Sequence, residues 1–310
     1  MSSTPALRIG TRGSPLALAQ AEETRLRLES AFPHLAGRMT IETISTTGDR
    51  VQDRPLAEIG GKGLFTKEID EAQLQGRIDI AVHSMKDVAT RLPDGLTLAA
   101  LLPREDVRDA LISTDGRGLA ELPPGAVVGS ASLRRAAQIL RRRPDLSVVP
   151  FRGNVQTRLR KLAEGQVDAT LLAMAGLNRL GMMPAGAVPL SVEEMLPAVA
   201  QGAIGITCRA GDIRALEFLA ALDDSATRRR VAAERAFLAL LDGSCRTPIA
   251  GLAEFDAGRL SFTGMILLPD GSRAYDVVAS GLDAEPRALG ESAANTLLEL
   301  AGRDFLSLVP

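Results

Sequence analysis

Aromatic side chains are scarce in this 310-residue chain: Phe, Tyr and Trp make up 3% of it, with no Trp and one Tyr. Bases bound in single strands stack on such rings, so the composition argues against a stacking platform for nucleic acid. Cysteine and histidine are as rare, two of each. That is too few for a cysteine-rich zinc module, no metal is expected, and the thiols are read as free. Net charge is missing as well. The 36 Lys and Arg against 38 Asp and Glu leave −2, so no global field draws the chain to nucleic acid or to an anionic membrane. No apolar run approaches the roughly 20 residues that cross a bilayer. The start, Met1-Ser2-Ser3-Thr4-Pro5, lacks the basic-then-apolar order of a secretory signal. A cytoplasmic protein with neither nucleic acid nor membrane as partner is expected.

What the chain has is a 45% hydrophobic content, enough for several cores, and a length that suggests two or three domains. It also has a repeated unit. Val128-Gly129-Ser130-Ala131-Ser132-Leu133-Arg134-Arg135 reads as an apolar strand, a small-residue loop and a helix that opens with two arginines. Free N–H groups at a helix start, short hydroxyls and guanidinium forks all favour carboxylate or phosphate. Ile9-Gly10-Thr11-Arg12-Gly13-Ser14-Pro15-Leu16 has the same form, with a proline that the first helical turn accepts. Further on, a helix with Phe65, Ile69 and Ala72 leads through Gly76-Arg77-Ile78-Asp79 into the strand Ile80-Ala81-Val82. A helix with Val155, Leu159 and Leu162 leads through Gly165-Gln166-Val167-Asp168 into Ala169-Thr170-Leu171-Leu172. The matching order predicts a duplication, two α/β lobes whose strand-end loops line a cleft.

The first lobe is expected over 1–102 with 199–220, because Ala203 to Cys208 reads as a strand returning to it. The second lobe covers 103–198. An α+β domain, 221–310, has a helix with Ala233, Phe237 and Leu240, three strand-like segments, and a helix with Ala293 and Leu297.

Several residues could carry chemistry. Cys245 lies in Asp242-Gly243-Ser244-Cys245-Arg246, a helix-to-strand loop where a nearby guanidinium favours thiolate, whereas Cys208 sits in an apolar strand. His83-Ser84-Met85-Lys86-Asp87 follows the strand Ile80 to Val82 and sets a cation, a carboxylate and a hydroxyl at a strand end. Arg152, Arg158 and Arg179, with Arg12, Arg134 and Arg135, suit a ligand with several carboxylates. Arg141 to Arg143 end a helix and complement its dipole, and Arg228 to Arg230 read as a solvated helix face. Gly60-Gly61-Lys62-Gly63 lacks the spacing of a phosphate-binding P-loop. These residues leave three readings open: an enzyme, a two-lobed binding protein for a polycarboxylate ligand, and a thiol hydrolase with His83 as its base.

Taken together, these segments resemble the porphobilinogen deaminase, or hydroxymethylbilane synthase, family. The resemblance rests on Gly10 to Ala17, Gly60 to Phe65, Val82 to Asp87, Ser132 to Arg135, Arg152 to Val155, Ala200-Gln201-Gly202, and Glu234-Arg235 followed by Gly243-Ser244-Cys245 and Pro248. Ala89 and Ser244 stand where the family commonly has proline and glycine. The resemblance implies two lobes of the periplasmic-binding-protein type II fold around a cleft, plus the small C-terminal domain. It implies a dipyrromethane cofactor joined to the Cys245 sulfur as a thioether, on which four porphobilinogen molecules are deaminated and joined before hydroxymethylbilane is released, by a monomer. Carried over residue by residue, Asp87 and Lys86 are catalytic. Ser84, Lys86, Asp87, Ser130, Ser132, Arg134, Arg135, Gly153 and Arg158 hold the cofactor. Arg12, Ser14, Phe65, Arg152, Arg158, Arg179 and Gln201 serve the substrate or the growing chain.

Overall fold

The computed structural model describes residues 6–50, 63–241, 247–256, 258–281, 285–302 and 305. They form two compact units. One comprises the described residues up to Arg50, from Gly63 to Glu105 and from Ala203 to Arg228; the other comprises the rest.

The first unit opens with β1 (Leu7–Thr11), β2 (Met39–Thr43), β3 (Ile80–Ser84) and β4 (Leu96–Leu101). The second contributes β5 (Asp109–Ser113), β6 (Val127–Gly129), β7 (Ser147–Val149), β8 (Ala169–Ala173) and β9 (Ala187–Pro189), after which β10 (Ile204–Arg209) belongs to the first again. The sheet of the first unit runs β2-β1-β3-β10-β4, with β1 parallel to both its neighbours and β10 antiparallel to both of its own. The sheet of the second runs β7-β6-β8-β5-β9, with β6 parallel to both neighbours and β5 antiparallel to both. Order and directions coincide, as a duplication requires, and β10 makes the return read from Ala203 to Cys208.

The repeated Gly-x-x-Asp turn explains why the two registers agree. Gly76 and Gly165, at φ 72° and 73°, take the left-handed turn that ends a helix. The aspartate three residues on then clamps the neighbouring strand. Asp79 accepts the Arg8 amide at 2.8 Å and donates its own N–H to the Arg8 carbonyl at 2.9 Å; Asp168 does the same to Val127, at 2.7 and 2.9 Å. This sets Ile9 opposite Ile80 in one sheet and Val128 opposite Ala169 in the other.

Each five-stranded sheet is buried on both faces, so its strands read as near-continuous apolar runs. In the first unit Ile9, Ile80, Val82, Ile204 and Ile206 pack with Ala21 and Leu28 of the helix Pro15–Ala31 and with Leu219 of Ile213–Ala220. Ala81 packs on the other face with Ile69, Ala72 and Ile78. In the second unit Val128, Leu171 and Leu111 meet Ile139, while Ile112 and Leu172 meet Leu162 and Leu177 on the opposite side. The C-terminal portion is the helix Ser225–Leu240, an antiparallel sheet of β11 (Ile249–Asp256), β12 (Arg259–Leu267) and β13 (Ala274–Gly281), and the helix Pro286–Ala301. The rings of Phe237 and Phe262 meet at a tilt with centres 4.7 Å apart, and Leu196 joins Ala250 and Leu252 in one cluster.

Two local expectations are corrected. Phe65 is not on the helix with Ile69, which begins at Lys67. Arg229 and Arg230 are half-buried rather than solvated, over the Phe255 ring at 5.1 and 5.2 Å, because their long stems cover an aromatic face while the charge stays near the π cloud. No helix among the described residues is long and apolar enough to cross a membrane.

Candidate active site

In the first unit, β3 delivers its residues to a single 3₁₀ turn, Met85–Asp87. The Met85 amide donates to the Ala203 carbonyl at 3.0 Å and the Val88 amide closes the turn on Met85 at 3.2 Å, which holds half-buried Lys86 and Asp87 at the strand end. The Ser84 hydroxyl meets the Gln20 side chain at 2.8 and 3.2 Å. His83 is buried, with Nε2 3.2 Å from the Thr207 hydroxyl, whose proton goes to Gln73 Oε1 at 2.9 Å. Burial, helped by the charge of Arg12, pushes the ring down to about 4. A neutral His83 this weakly basic makes a poor proton acceptor for a thiol, which counts against the hydrolase reading.

Arg12 follows β1 and lies between two carboxylates. Its Nε and Nη2 bind Asp49, its Nη1 is 3.8 Å from Asp87 Oδ2, and the guanidinium sits 4.2 Å from the Phe65 ring centre. Because the helix begins only at Lys67, Phe65 lies in the turn before it and sits over Arg12. Ser14 caps the next helix by accepting the Ala17 amide at 3.3 Å.

In the second unit the loop after β6 opens into the helix Leu133–Arg142. Ser132 caps it by accepting the Arg135 amide at 3.4 Å, and the Ser130 hydroxyl accepts the Ser132 amide at 3.2 Å. Arg134 and Arg135 are 5% and 6% exposed and share one fully buried carboxylate, Asp109. Arg134 Nη2 donates to Asp109 Oδ2 at 2.8 Å and Arg135 Nη2 to Oδ1 at 2.6 Å, while their Nη1 atoms donate to the Leu196 and Leu171 carbonyls. Gln201 completes Asp109 with a 2.9 Å hydrogen bond and also donates to the Val107 carbonyl at 2.8 Å. Burial pushes the Asp109 carboxyl up, but the charges and hydrogen bonds of the two arginines outweigh it and hold it well below the usual carboxylate range. Arg134 is lowered instead, by burial and the Arg135 charge against the pull of Asp109. One carboxylate divided between two buried guanidinium groups does not compensate both, so Asp109 is ionised and a net positive charge remains.

That surplus extends to Arg158. Its Nε donates to the Gly153 carbonyl at 2.9 Å, and no acid among the described residues pairs with it. Burial first, then the charges of Arg135 and Arg152, push its guanidinium down to about 10. The Arg134 and Arg135 Nε–H groups are buried with no partner among the described residues. Donors without acceptors, beside one cation with no described acid, fit a ligand with several carboxylates. The Arg152 carbonyl accepts from Lys161 at 3.2 Å, and Arg179 Nη2 donates to the Gly202 carbonyl at 3.0 Å.

Cys245, in 242–246, and Gly60-Gly61-Lys62, in 51–62, lie outside the described residues. Among the described residues no group of three or more His, Cys, Asp and Glu is placed to hold a metal. Sequence reasoning missed Asp109, Asp49 and Gln20. Only Asp109 had a readable signal, as an acid heading the apolar run Ala110-Leu111-Ile112, which must be buried and therefore paired.

A carboxylate at a strand end beside an arginine in one unit, and an arginine-rich strand-to-helix junction in the other, define an α/β protein with charged loops at its strand ends. Residues 7–217 match the family model described as porphobilinogen deaminase, dipyromethane cofactor binding domain, and 228–299 match the porphobilinogen deaminase C-terminal domain. The chloroplastic porphobilinogen deaminase of Oryza sativa subsp. japonica is 59% identical over 304 residues, 96% of this chain and 85% of that protein. Those of Nitrobacter hamburgensis and Paracoccus denitrificans are 56% and 58% identical, covering 97% and 96% of this chain and 95% and 96% of theirs. Among solved structures, the periplasmic aliphatic sulphonate binding protein of Escherichia coli matches at TM-score 0.39 and 16% identity, over 75% of this chain and 69% of that one. The chain belongs to the porphobilinogen deaminase family, the transferases also called hydroxymethylbilane synthases, with a dipyrromethane cofactor. The reading as a binding protein without chemistry is thereby set aside.

Proposed function

We propose that this chain binds dipyrromethane through the Cys245 sulfur, holds its carboxylates with Arg134, Arg135 and Arg158 together with Ser84, Lys86, Ser130, Ser132 and the Gly153 backbone, and uses Asp87 to promote the loss of ammonia from porphobilinogen. The observation that carries this reading is Arg158, half-buried, pressed by Arg135 and Arg152, and paired with no described acid. A half-buried cation without an internal counter-ion is available to an anion from outside. When bound, dipyrromethane supplies the pyrrole carbon to which each new unit is joined. The chain's own residues do the rest. Asp87, a carboxylate held at the strand end, would stabilise the positive charge that develops as ammonia departs. Lys86 next to it stands as a cation beside that carboxylate or takes a cofactor carboxylate. Arg12, Ser14, Phe65, Arg152 and Arg179 engage the incoming or lengthening chain, with Arg158 shared between the two tasks. Gln201, a further residue of this group, acts from behind, through its bond to Asp109.

The same reading takes 1–102 with 199–220 as one lobe, 103–198 as the second and 221–310 as the domain that presents Cys245. It describes a cytoplasmic monomer whose only partner is the small-molecule substrate. Intact-protein mass tests it. Purified protein should exceed its sequence mass by one dipyrromethane, mapped to Cys245 and absent from Cys245→Ala, with Cys208 unmodified; an active enzyme with Cys245 free would overturn it.

A further inference from the structure

Arg12 has a different environment from Arg158, although both are assigned to carboxylates. The edge of Arg12 that grips a carboxylate side-on is already taken: Nε lies 3.1 and 3.2 Å from the two Asp49 oxygens, and Nη2 donates to Oδ1. The opposite edge points toward Asp87 at 3.8 Å, and Phe65 covers one face. Asp49 is held in turn by the Thr46 hydroxyl at 2.7 Å and the Thr46 amide at 3.4 Å. These supports leave it ionised, since Arg12 and Thr46 together outweigh the effect of burial on its carboxyl.

Exposure separates this pair from the arginine–aspartate contacts of Asp109. The Arg12 and Asp49 side chains are 23% and 26% exposed, so water and a ligand reach the pair, whereas the Asp109 side chain is 0% exposed between arginines at 5% and 7%. Arg158 has no acid among the described residues to give up. A ligand carboxylate therefore completes Arg158 outright, cannot exchange with Asp109, and reaches the bidentate edge of Arg12 only by replacing Asp49.

We propose that Asp49 is a built-in competitor for substrate on Arg12: it occupies the fork that a carboxylate of porphobilinogen takes, and each arriving substrate exchanges one carboxylate for another on a guanidinium kept charged and oriented. This deepens the proposed function and rests on its reading of Arg12 as a substrate residue. The consequence is chemical economy of binding. The cations given to the permanent primer either keep a buried aspartate that a ligand does not displace, as Arg134 and Arg135 do, or have no described acid, as Arg158 does; a ligand that must arrive four times and move on is served by an arginine whose exposed partner takes the fork back, which lowers affinity and speeds release.

Steady-state kinetics with porphobilinogen, on enzyme shown by intact mass to carry its primer, separate the possibilities. Asp49→Asn should lower KM by about threefold, the size of a partly exposed ion pair, with kcat changed less. Asp49→Ala, which removes the acceptor altogether, should shift KM the same way. Arg12→Gln should raise KM, and adding Asp49→Asn to it should do nothing more, because the contested fork is gone. A rise in KM on Asp49→Asn would mean that Asp49 merely orients Arg12 and would overturn the proposal. An equal fall in both backgrounds would also overturn it, since the charge would then act through space. If Arg12→Gln raises KM while both Asp49 variants leave it unchanged, the competitor fails and the role of Arg12 stands. If Arg12→Gln leaves KM untouched, the substrate reading of Arg12 fails, and the competitor with it.

Discussion

Replacing Asp109 by Asn alters little volume and removes the one carboxylate that Arg134 and Arg135 share. The wild-type group accepts from Arg134 at 2.8 Å, from Arg135 at 2.6 Å and from Gln201 at 2.9 Å, with no solvent exposure. Asparagine keeps one acceptor oxygen and turns an N–H₂ toward a guanidinium, so at least one charged hydrogen bond, worth about 1.5–3 kcal/mol, is lost outright. Two buried cations also lose their counter-ion, and breaking a buried pair from one side costs about 3–5 kcal/mol. Against a domain stability of about 5–15 kcal/mol the second figure covers the whole effect, and the change should be the largest that a near-isosteric substitution causes in this unit. The assay is urea denaturation followed by far-ultraviolet circular dichroism, comparing the chain with and without Asp109→Asn in a Cys245→Ala background so that neither protein carries a primer. The gap should depend on pH with a definite sign. Because the folded-state carboxyl is depressed, its contribution is complete above the unfolded value near 3.9 and is lost as pH falls toward the folded value. The protein that keeps Asp109 should therefore lose its advantage in strong acid. A difference below about 1 kcal/mol at pH 7 would refute the claim that Asp109 makes the arginine pair tolerable.

Asp87→Asn should keep the fold, since the side chain is part-exposed and its charged contact is the 3.8 Å approach of Arg12, yet lower kcat by about a hundredfold, because charge developing on the substrate loses its nearest stabiliser. Turnover close to wild type would remove Asp87 from the chemistry. His83 should make stability fall between about pH 6.5 and 4, because the unfolded chain takes up a proton there that the buried ring refuses; His83→Gln should flatten that slope in denaturation curves taken across the range, and an unchanged slope would mean another group carries it.

The sequence by itself determined whatever depends on neighbours along the chain. The small residues after β1 and β6, the capping serines Ser14 and Ser132 and the Gly-x-x-Asp turns are short-range devices, so strand, loop, helix and their repetition were legible, as was the placing of Lys86 and Asp87 at a strand end. Glu234-Arg235 and the motif around Cys245 carried the family. Only the tertiary structure decided how charges are shared. Asp109 meets Arg134 and Arg135 across 25 and 26 residues, and Arg12 meets Asp49 across 37. No local pattern encodes which acid neutralises which guanidinium, because that depends on sheet order and burial, and an ion pair's effect depends on both. The same reason governs Phe65, which the apolar spacing put on a helix and the fold put over Arg12. An arginine in a sequence is always a cation. Whether it stands open to a ligand, as Arg158 does, or is held by an aspartate, as Arg12 is, is settled by what the rest of the chain brings beside it.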